Sequence, residues 1–434
     1  MKMKKVLAVL LVASMAGGLV SCGGNSSSSN SGSTSGGGSS SGGEIHVASW
    51  NNAADNLKAI ADKFNPENEA NGKVVIDYWD GDYTKLKPAL QSGNGIPDIF
   101  QTQNRDAQAF YNSYGLDPFM DLSDLMEAEK DNWPAYVLDM VTGEDGKYHA
   151  MPWDIGPCAI FYRTDILEQA GIDPTTLTTW DKYIEAGKTL KAMGDYYVAD
   201  LPYNGTGMDF LMLLLNELGG QYLDEEGNAN FNNPEMVKAF ELILEMDEAG
   251  LICDTPNAWD DRITAINDNK LVMVPNAAWY MGTMKNSCAD SAGKWGIIPL
   301  PAFEEGGNNK AGIGGSVLMI SSDTKNPDQA KAFLKYAMMT DDGNDINMDY
   351  GEFPSYSPSY DSPKFEEPWD YYGGVAAAGF FTELTDSPTT EFGPYFTDVS
   401  TAMNQVVGNI LAGTPIEEAL DAGTQDCQNM LDAH

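Results

Sequence analysis

From Glu44 onward the apolar positions switch between two periods. Residues 45–50 read as a strand, and the apolar positions that follow, Leu57, Ile60, Ala61 and Phe64, fall three and four apart. That spacing predicts a helix over about 54–64 with one buried face, ended by Asn65-Pro66. Val74, Val75 and Ile76 form the unbroken apolar run of a strand covered on both faces, within a strand over 74–78. A helix over 83–91 and a strand over 98–101 complete a first set. A second set opens after Pro152, with a strand over 159–162, a short helix over 166–170 and a helix starting at Thr179-Trp180-Asp181. Asn233-Pro234-Glu235 and Asn326-Pro327-Asp328 predict two further helix starts. In each, the Asn oxygen is placed to accept an orphan N–H, Pro suits the first helical position, and the acid faces the positive end of the dipole. Strands alternating with helices predict an α/β chain on a mostly parallel sheet with helices on its faces.

The first 43 residues follow neither period. Lys2, Lys4 and Lys5 precede an apolar run over 6–16 and then small residues, the order of a secretory signal, and the run is too short to span a bilayer. Leu19-Val20-Ser21-Cys22 resembles the bacterial lipobox, which implies a lipoprotein signal peptide over 1–21, an acylated Cys22 and a linker over 22–43. Residues 23–43 hold 18 Gly or Ser out of 21. Such a coil has an r.m.s. reach of ~25 Å, so a lipid at one end would keep the folded part near a membrane yet free to tumble.

Composition narrows the partners. The chain of 434 residues is long enough for two or more domains. Its 64 Asp and Glu against 25 Lys and Arg give a net charge of −39, which repels nucleic acid, polyanions and anionic lipid surfaces and favours a neutral or cationic ligand. Beyond Cys22 the cysteines are Cys158, Cys253, Cys288 and Cys427, which allow three pairings if all are oxidised. A Cys253–Cys288 bridge and buried free thiols both stand as readings. His46, His149 and His434 are isolated, and no metalloprotease, nucleophile-elbow or phosphate-loop motif occurs, so metal, acyl-transfer and nucleotide chemistry lose support. The run Asp345-Ile346-Asn347-Met348-Asp349 begins like a calcium loop but has Tyr350 where Gly is required. No metal and no cofactor are expected. Gly312-Ile313-Gly314-Gly315 lacks the last glycine of a dinucleotide fingerprint and reads as a close backbone approach at a strand start.

A set of short motifs then appears in order: Ser92-Gly93, Pro97-Asp98-Ile99, Gly146-Lys147-Tyr148-His149-Ala150-Met151-Pro152, Phe161-Tyr162-Arg163-Thr164-Asp165, Gln169-Ala170-Gly171-Ile172, Thr179-Trp180-Asp181, Trp295-Gly296-Ile297-Ile298-Pro299-Leu300-Pro301, Gly314-Gly315-Ser316 and Ala330-Lys331-Ala332-Phe333-Leu334. In this order the chain resembles the family 1 extracellular solute-binding proteins, the carbohydrate receptors of ABC importers. The resemblance implies a two-lobed periplasmic-binding-protein-like fold of type II, with the ligand cleft between lobes joined by crossing hinge segments. It suggests lobe one over 44–152 plus 311–354 and lobe two over 153–310 plus 355–434. The function it implies is capture of a neutral oligosaccharide and delivery to an ABC permease, by a monomer lipid-anchored to the outer face of the bacterial cell membrane. A surface-anchored glycoside hydrolase or lyase is the alternative. Trp153-Asp154-Ile155-Gly156-Pro157 followed by Phe161-Tyr162-Arg163 is similar to the subgroup with arabino-oligosaccharide, lactose-type and multiple-sugar receptors, which favours an oligosaccharide over a monosaccharide.

A sugar offers hydroxyls around its ring and weakly apolar C–H faces, so its receptor needs aromatic platforms and carboxylate, amide or Arg partners. Trp50 and Asn51 stand at the C-terminal end of the first strand, where ligands of open α/β sheets bind, and Gln103 follows a neighbouring strand. Trp153 and Asp154 combine a platform and an acceptor at the crossing, where the family places cleft residues; Gly156-Pro157 beside them reads as a turn or hinge. Asn276, Trp279 and Tyr280 follow an apolar run at which the resemblance puts a stacking aromatic. Glu352 and Trp369 lie near the last crossing. Trp180 and Trp295 fall inside structural motifs and are expected in the core.

Overall fold

The structure is a computed structural model that describes residues 43–68, 72–205, 207–390 and 392–434. The expected signal peptide, Cys22 and the linker up to residue 42 lie outside the described residues. The strands among the described residues are β1 (Glu44–Ser49), β2 (Lys73–Tyr78), β3 (Ile99–Gln103), β4 (Met151–Arg163), β5 (Ala199–Leu201), β6 (Ile252–Asp254), β7 (Met273–Ala277), β8 (Trp295–Ile298) and β9 (Gly312–Ile320). Seven form one sheet in the order β2-β1-β3-β9-β4-β7, with β8 also paired to β4, and β5 pairs with β6 apart from it.

The strands of the first set sit where the apolar runs place them, and β1 pairs parallel with both β2 and β3. The expectation of a mostly parallel sheet fails beyond that point. β9 runs antiparallel to β3 and β4, and β4 runs antiparallel to β7 and β8. The cause is the path of the chain: β4 and β9 are long strands that run past one another in opposite directions, not the arms of helix-linked crossovers. The first half of β4 pairs with β9, from Met151 opposite Leu318 to Pro157 opposite Gly312, and its second half pairs with β7 and β8.

Gly156-Pro157 is therefore no turn but part of a strand, at one of two register shifts between β4 and β9. A Cβ on Gly156 would lie 1.8 Å from the Ile313 carbonyl oxygen, and Gly315, opposite Ile155, adopts φ +104° with its own Cβ position 2.6 Å from the Asp154 carbonyl oxygen. The two backbones approach so closely that only glycine fits, as the Gly312–Gly315 run suggested.

Helix starts follow the sequence with one exception. The Thr179 and Asn233 side chains accept from the Lys182 and Met236 amides. Asn326 precedes the helix Pro327–Met339 but makes no side-chain cap; its amide donates to the Glu44 carbonyl instead. The first helix, Asn51–Glu67, continues through Pro66 before it ends.

One core gathers apolar side chains between residues 45 and 153 and between 317 and 338, the second those between 158 and 313 and between 392 and 427. A third cluster, around Phe161, Tyr280, Phe353 and Tyr372, lies under the C-terminal segment. Trp180 and Trp295 are fully buried, their indole N–H groups donating to Glu217 and Ser291. Cys158, Cys253, Cys288 and Cys427 are all free thiols, so the Cys253–Cys288 bridge is absent. The calcium-like run is helical, within Asp341–Tyr350.

Candidate functional site

A cavity of about 290 Å³ lies where β1, β3, β9 and β4 run side by side. Along its floor and the strand behind it runs a ladder of polar side chains, one from each of these strands, of which Gln101, Ser316 and Asp154 line the cavity. Ser49 Oγ donates to Gln101 Oε1 at 2.6 Å, Gln101 Nε2 donates to Ser316 Oγ at 2.9 Å, and the Ser316 amide donates to Asp154 Oδ1 at 2.7 Å. Satisfied networks of this kind hold their members in one geometry.

Beside Asp154 lies a second buried carboxyl, Glu352, which accepts from Asn52 Nδ2 at 3.1 Å. Burial pushes the Asp154 pKa up to about 7 against the pull of the Ser316 hydrogen bonds. Burial and the Asp154 charge hold Glu352 well above the usual carboxylate range, with the Asn52 bond opposing them. Two such neighbours do not ionise together near neutral pH, so one is available as a donor as well as an acceptor.

One wall carries Trp50, which directly follows β1, with Tyr83 edge-on behind it at 5.7 Å and 79°. Tyr83 is pinned in turn: its hydroxyl donates to Asp106 at 2.7 Å and accepts from the Gln103 amide at 2.9 Å. Gly81 lies flat against the Trp50 ring, where a Cβ would come to 3.2 Å. The facing wall carries Trp279 and Trp259, nearly parallel at 16° with centroids 6.0 Å apart. The Trp279 N–H donates to the Ile313 carbonyl at 3.0 Å. Asp209, in the first turn of the helix Asp209–Leu218, completes that wall. Its Oδ2 is 3.5 Å from Arg262 Nη2, and Arg262 is buried against Asp200 at 2.8 Å.

Of the residues singled out from sequence, Trp50, Asn51, Gln103, Asp154, Trp279 and Glu352 line this cavity. Four others do not. Trp153 is 1 % exposed and donates to Asn347 Oδ1 at 3.0 Å within the first core, because neighbouring residues of a strand face opposite sides and Asp154 takes the cavity side. Asn276 is buried inside β7, its Oδ1 accepting from the Ala277 amide. Tyr280 is fully buried and supports the platforms edge-on, at 5.6 Å from Trp259 and 5.9 Å from Trp279. Trp369 packs in the third cluster under Lys285.

Several lining groups escaped the sequence reading. Trp259 opens the helix Trp259–Asn267, and Asp260 and Asp261 in its first turn were the available signal. Asp209 was readable as the acid ahead of an apolar helix. The third group is Arg105. The chain has three arginines, and Arg163 and Arg262 are buried in ion pairs with Asp165 and Asp200. Arg105 alone lines the cavity, its guanidinium 4.4 Å over the Phe396 ring and 3.7 Å from Met212 Sδ. It thus joins the turn after β3 to two helices of the second core.

Residues 49–341 match the model of the family described as bacterial extracellular solute-binding protein. The chain belongs to this family. Its members are binding proteins, their place is extracellular, and no helix among the described residues is long and apolar enough to cross a membrane. An arabinooligosaccharide-binding protein of Halalkalibacterium halodurans is 28% identical over 309 residues, 69% of this chain and 68% of that protein. A lactose-binding protein of Rhizobium radiobacter is 28% identical over 393 residues, 88% and 91% of the two chains. Among solved structures, the ABC transporter associated binding protein from B. animalis subsp. lactis in complex with beta-1,6-galactobiose superposes with a TM-score of 0.77 at 22% identity, over 90% of this chain and 97% of that one. The fold is the two-lobed one of the sugar-binding receptors.

Proposed function

We propose that the protein is the receptor of an ABC importer for a neutral oligosaccharide, which it hands to a membrane permease unaltered. The observation that carries this reading is the placement of indoles on both walls of one cavity, Trp50 against Trp259 and Trp279, with carboxyl and amide groups between them. Stacked C–H faces and hydroxyls bonded in the ring plane are what such an arrangement serves. Because the two walls belong to different cores, a ligand that touches both favours the closed arrangement over the open one, which is the condition for ligand-driven closure. The moving bodies in this reading are 44–152 plus 311–354 and 153–310 plus 355–434. The protein is a monomer, anchored through a lipidated Cys22 to the outer face of the cell membrane and held there by its Gly/Ser linker.

The buried Asp154 and Glu352 pair invites the hydrolase alternative, since glycoside hydrolysis uses two carboxyls. The relatives argue otherwise: they are named for binding an arabinooligosaccharide or lactose, not for cleaving it. The test is a thermal-shift screen of the purified protein against a glycan panel, with each mixture then analysed by chromatography. At least one neutral oligosaccharide should raise Tm and be recovered intact. No shift from any glycan, or cleavage products, overturns the reading.

A further inference from the structure

The cavity of about 290 Å³ is not a dead end. At Asn51, Asn52, Trp259 and Thr283 its lining continues into a second cavity of about 590 Å³. One wall of this outer groove is the outward face of the helix Asn51–Glu67, where Asp55, Lys58 and Asp62 recur at helical spacing. The other is the end of the helix Tyr280–Ser287, with Asn286 and Ser287. Between them Asn52 forms a bridge, accepting from Asn286 Nδ2 at 2.5 Å and donating to the Tyr350 carbonyl at 2.7 Å.

The chemistry of the groove selects its occupant. Its charges have partners close by: Lys58 Nζ meets Asp62 at 2.6 Å, and Asp55 accepts from the Tyr78 hydroxyl of the neighbouring strand at 2.7 Å. The rest of the lining is amide, hydroxyl and one indole, a surface that suits a neutral polyhydroxyl chain. Trp259 borders both cavities and lies nearly parallel to Trp279, so the platform of the inner cavity extends into the outer one. Small-molecule sites run to ~300–1,000 Å³, so the inner cavity alone holds about one or two sugar rings while the outer space is larger still.

We infer that the ligand is a linear, uncharged oligosaccharide of at least three units, one end enclosed between Trp50, Trp279 and Asp154 and the remainder leaving over Trp259 through the outer groove between Asn51 and Ser287. This rests on the saccharide reading above and adds a length and a direction to it. The test uses ladders of two to six units of arabino-, xylo-, galacto-, malto- and chito-oligosaccharides, titrated calorimetrically into the purified protein. In the series that binds, four units should bind at least tenfold more tightly than two. Ser287→Trp, an exposed substitution that fills the outer groove, should bring that ratio close to one, and Asn286→Ala should lower it severalfold. A two-unit ligand as tight as the longer ones, or variants that weaken every length equally, overturns the inference and leaves the saccharide reading intact. Failure of every ladder to bind overturns both.

Discussion

Trp153 and Trp279 look alike in the sequence, but the structure puts one in a core and the other on a cavity wall, so under the proposed reading truncating each separates folding from binding. Trp279 is half-buried, held by its N–H bond to Ile313, and turns one face to the cavity. An aromatic side chain buries ~150–250 Å² when fully enclosed, and a sugar covering about a third of that on one face removes ~70 Å² of apolar surface from water. At ~25 cal/mol per Å² this is about 1.8 kcal/mol, or roughly twentyfold in Kd, for Trp279→Ala. Trp153→Ala instead empties a core site and removes the donor to Asn347, at a cost of ~3–5 kcal/mol in stability. Calorimetric titration with a binding glycan and thermal denaturation, run on both variants, read the two quantities independently. The expected pattern is lost affinity with a smaller fall in Tm for Trp279→Ala, and a larger fall in Tm with near-native affinity below it for Trp153→Ala. Equal affinity losses, or an unchanged Tm for Trp153→Ala, would refute the division.

Stability should fall as pH rises from about 4 through about 8. The Asp154 and Glu352 carboxyls keep protons in the fold that the unfolded chain releases near pH 4, so the stabilisation is full below that value and is lost as pH rises through the folded pKa, about 7 for Asp154. Glu217, pushed up to about 8 by burial, acts in the same direction, so Asp154→Asn should flatten the Tm profile in part; an unchanged slope counts against the buried pair. Asp209→Ala should cost ~1.5–3 kcal/mol of glycan binding, the value of a hydrogen bond to a charged group, with little change in Tm, and unaltered affinity places the ligand elsewhere. Arg105→Ala removes the one charged side chain seated on Phe396 and Met212 and should weaken binding while raising the radius of gyration of the complex; an identical scattering curve refutes a closing role. Gly156→Ala forces a methyl against the Ile313 carbonyl and the Trp279 indole, and should lower the unfolding free energy by the ~1–3 kcal/mol of an overpacked site, read in denaturant titration, which full stability would contradict.

What was legible in the sequence follows local rules. Trp50 and Gln103 line the cavity as the ends of the parallel strands β1 and β3 suggested, and that much is set by strand direction alone. Trp153 misled because a platform next to an acceptor looks favourable in one dimension, whereas a strand sends the two to opposite faces. Tyr280 misled in the same manner, lying behind Trp279 rather than beside it. Antiparallel β4 and β9 were invisible because their pairing joins residues far apart in the chain, and only the Gly312–Gly315 run hinted at the approach. Trp259, Asp209 and Arg105 reach the cavity only through that long-range assembly, so no local pattern could place them together.

The central claim is that a saccharide gripped from both walls draws the two lobes together and leaves unchanged. Small-angle scattering of the purified protein with and without a saturating glycan, with chromatography of the recovered ligand, tests it most directly. The expected result is a smaller radius of gyration in the complex and an intact glycan. A bound glycan that leaves the scattering unaltered, or returns cleaved, contradicts the account.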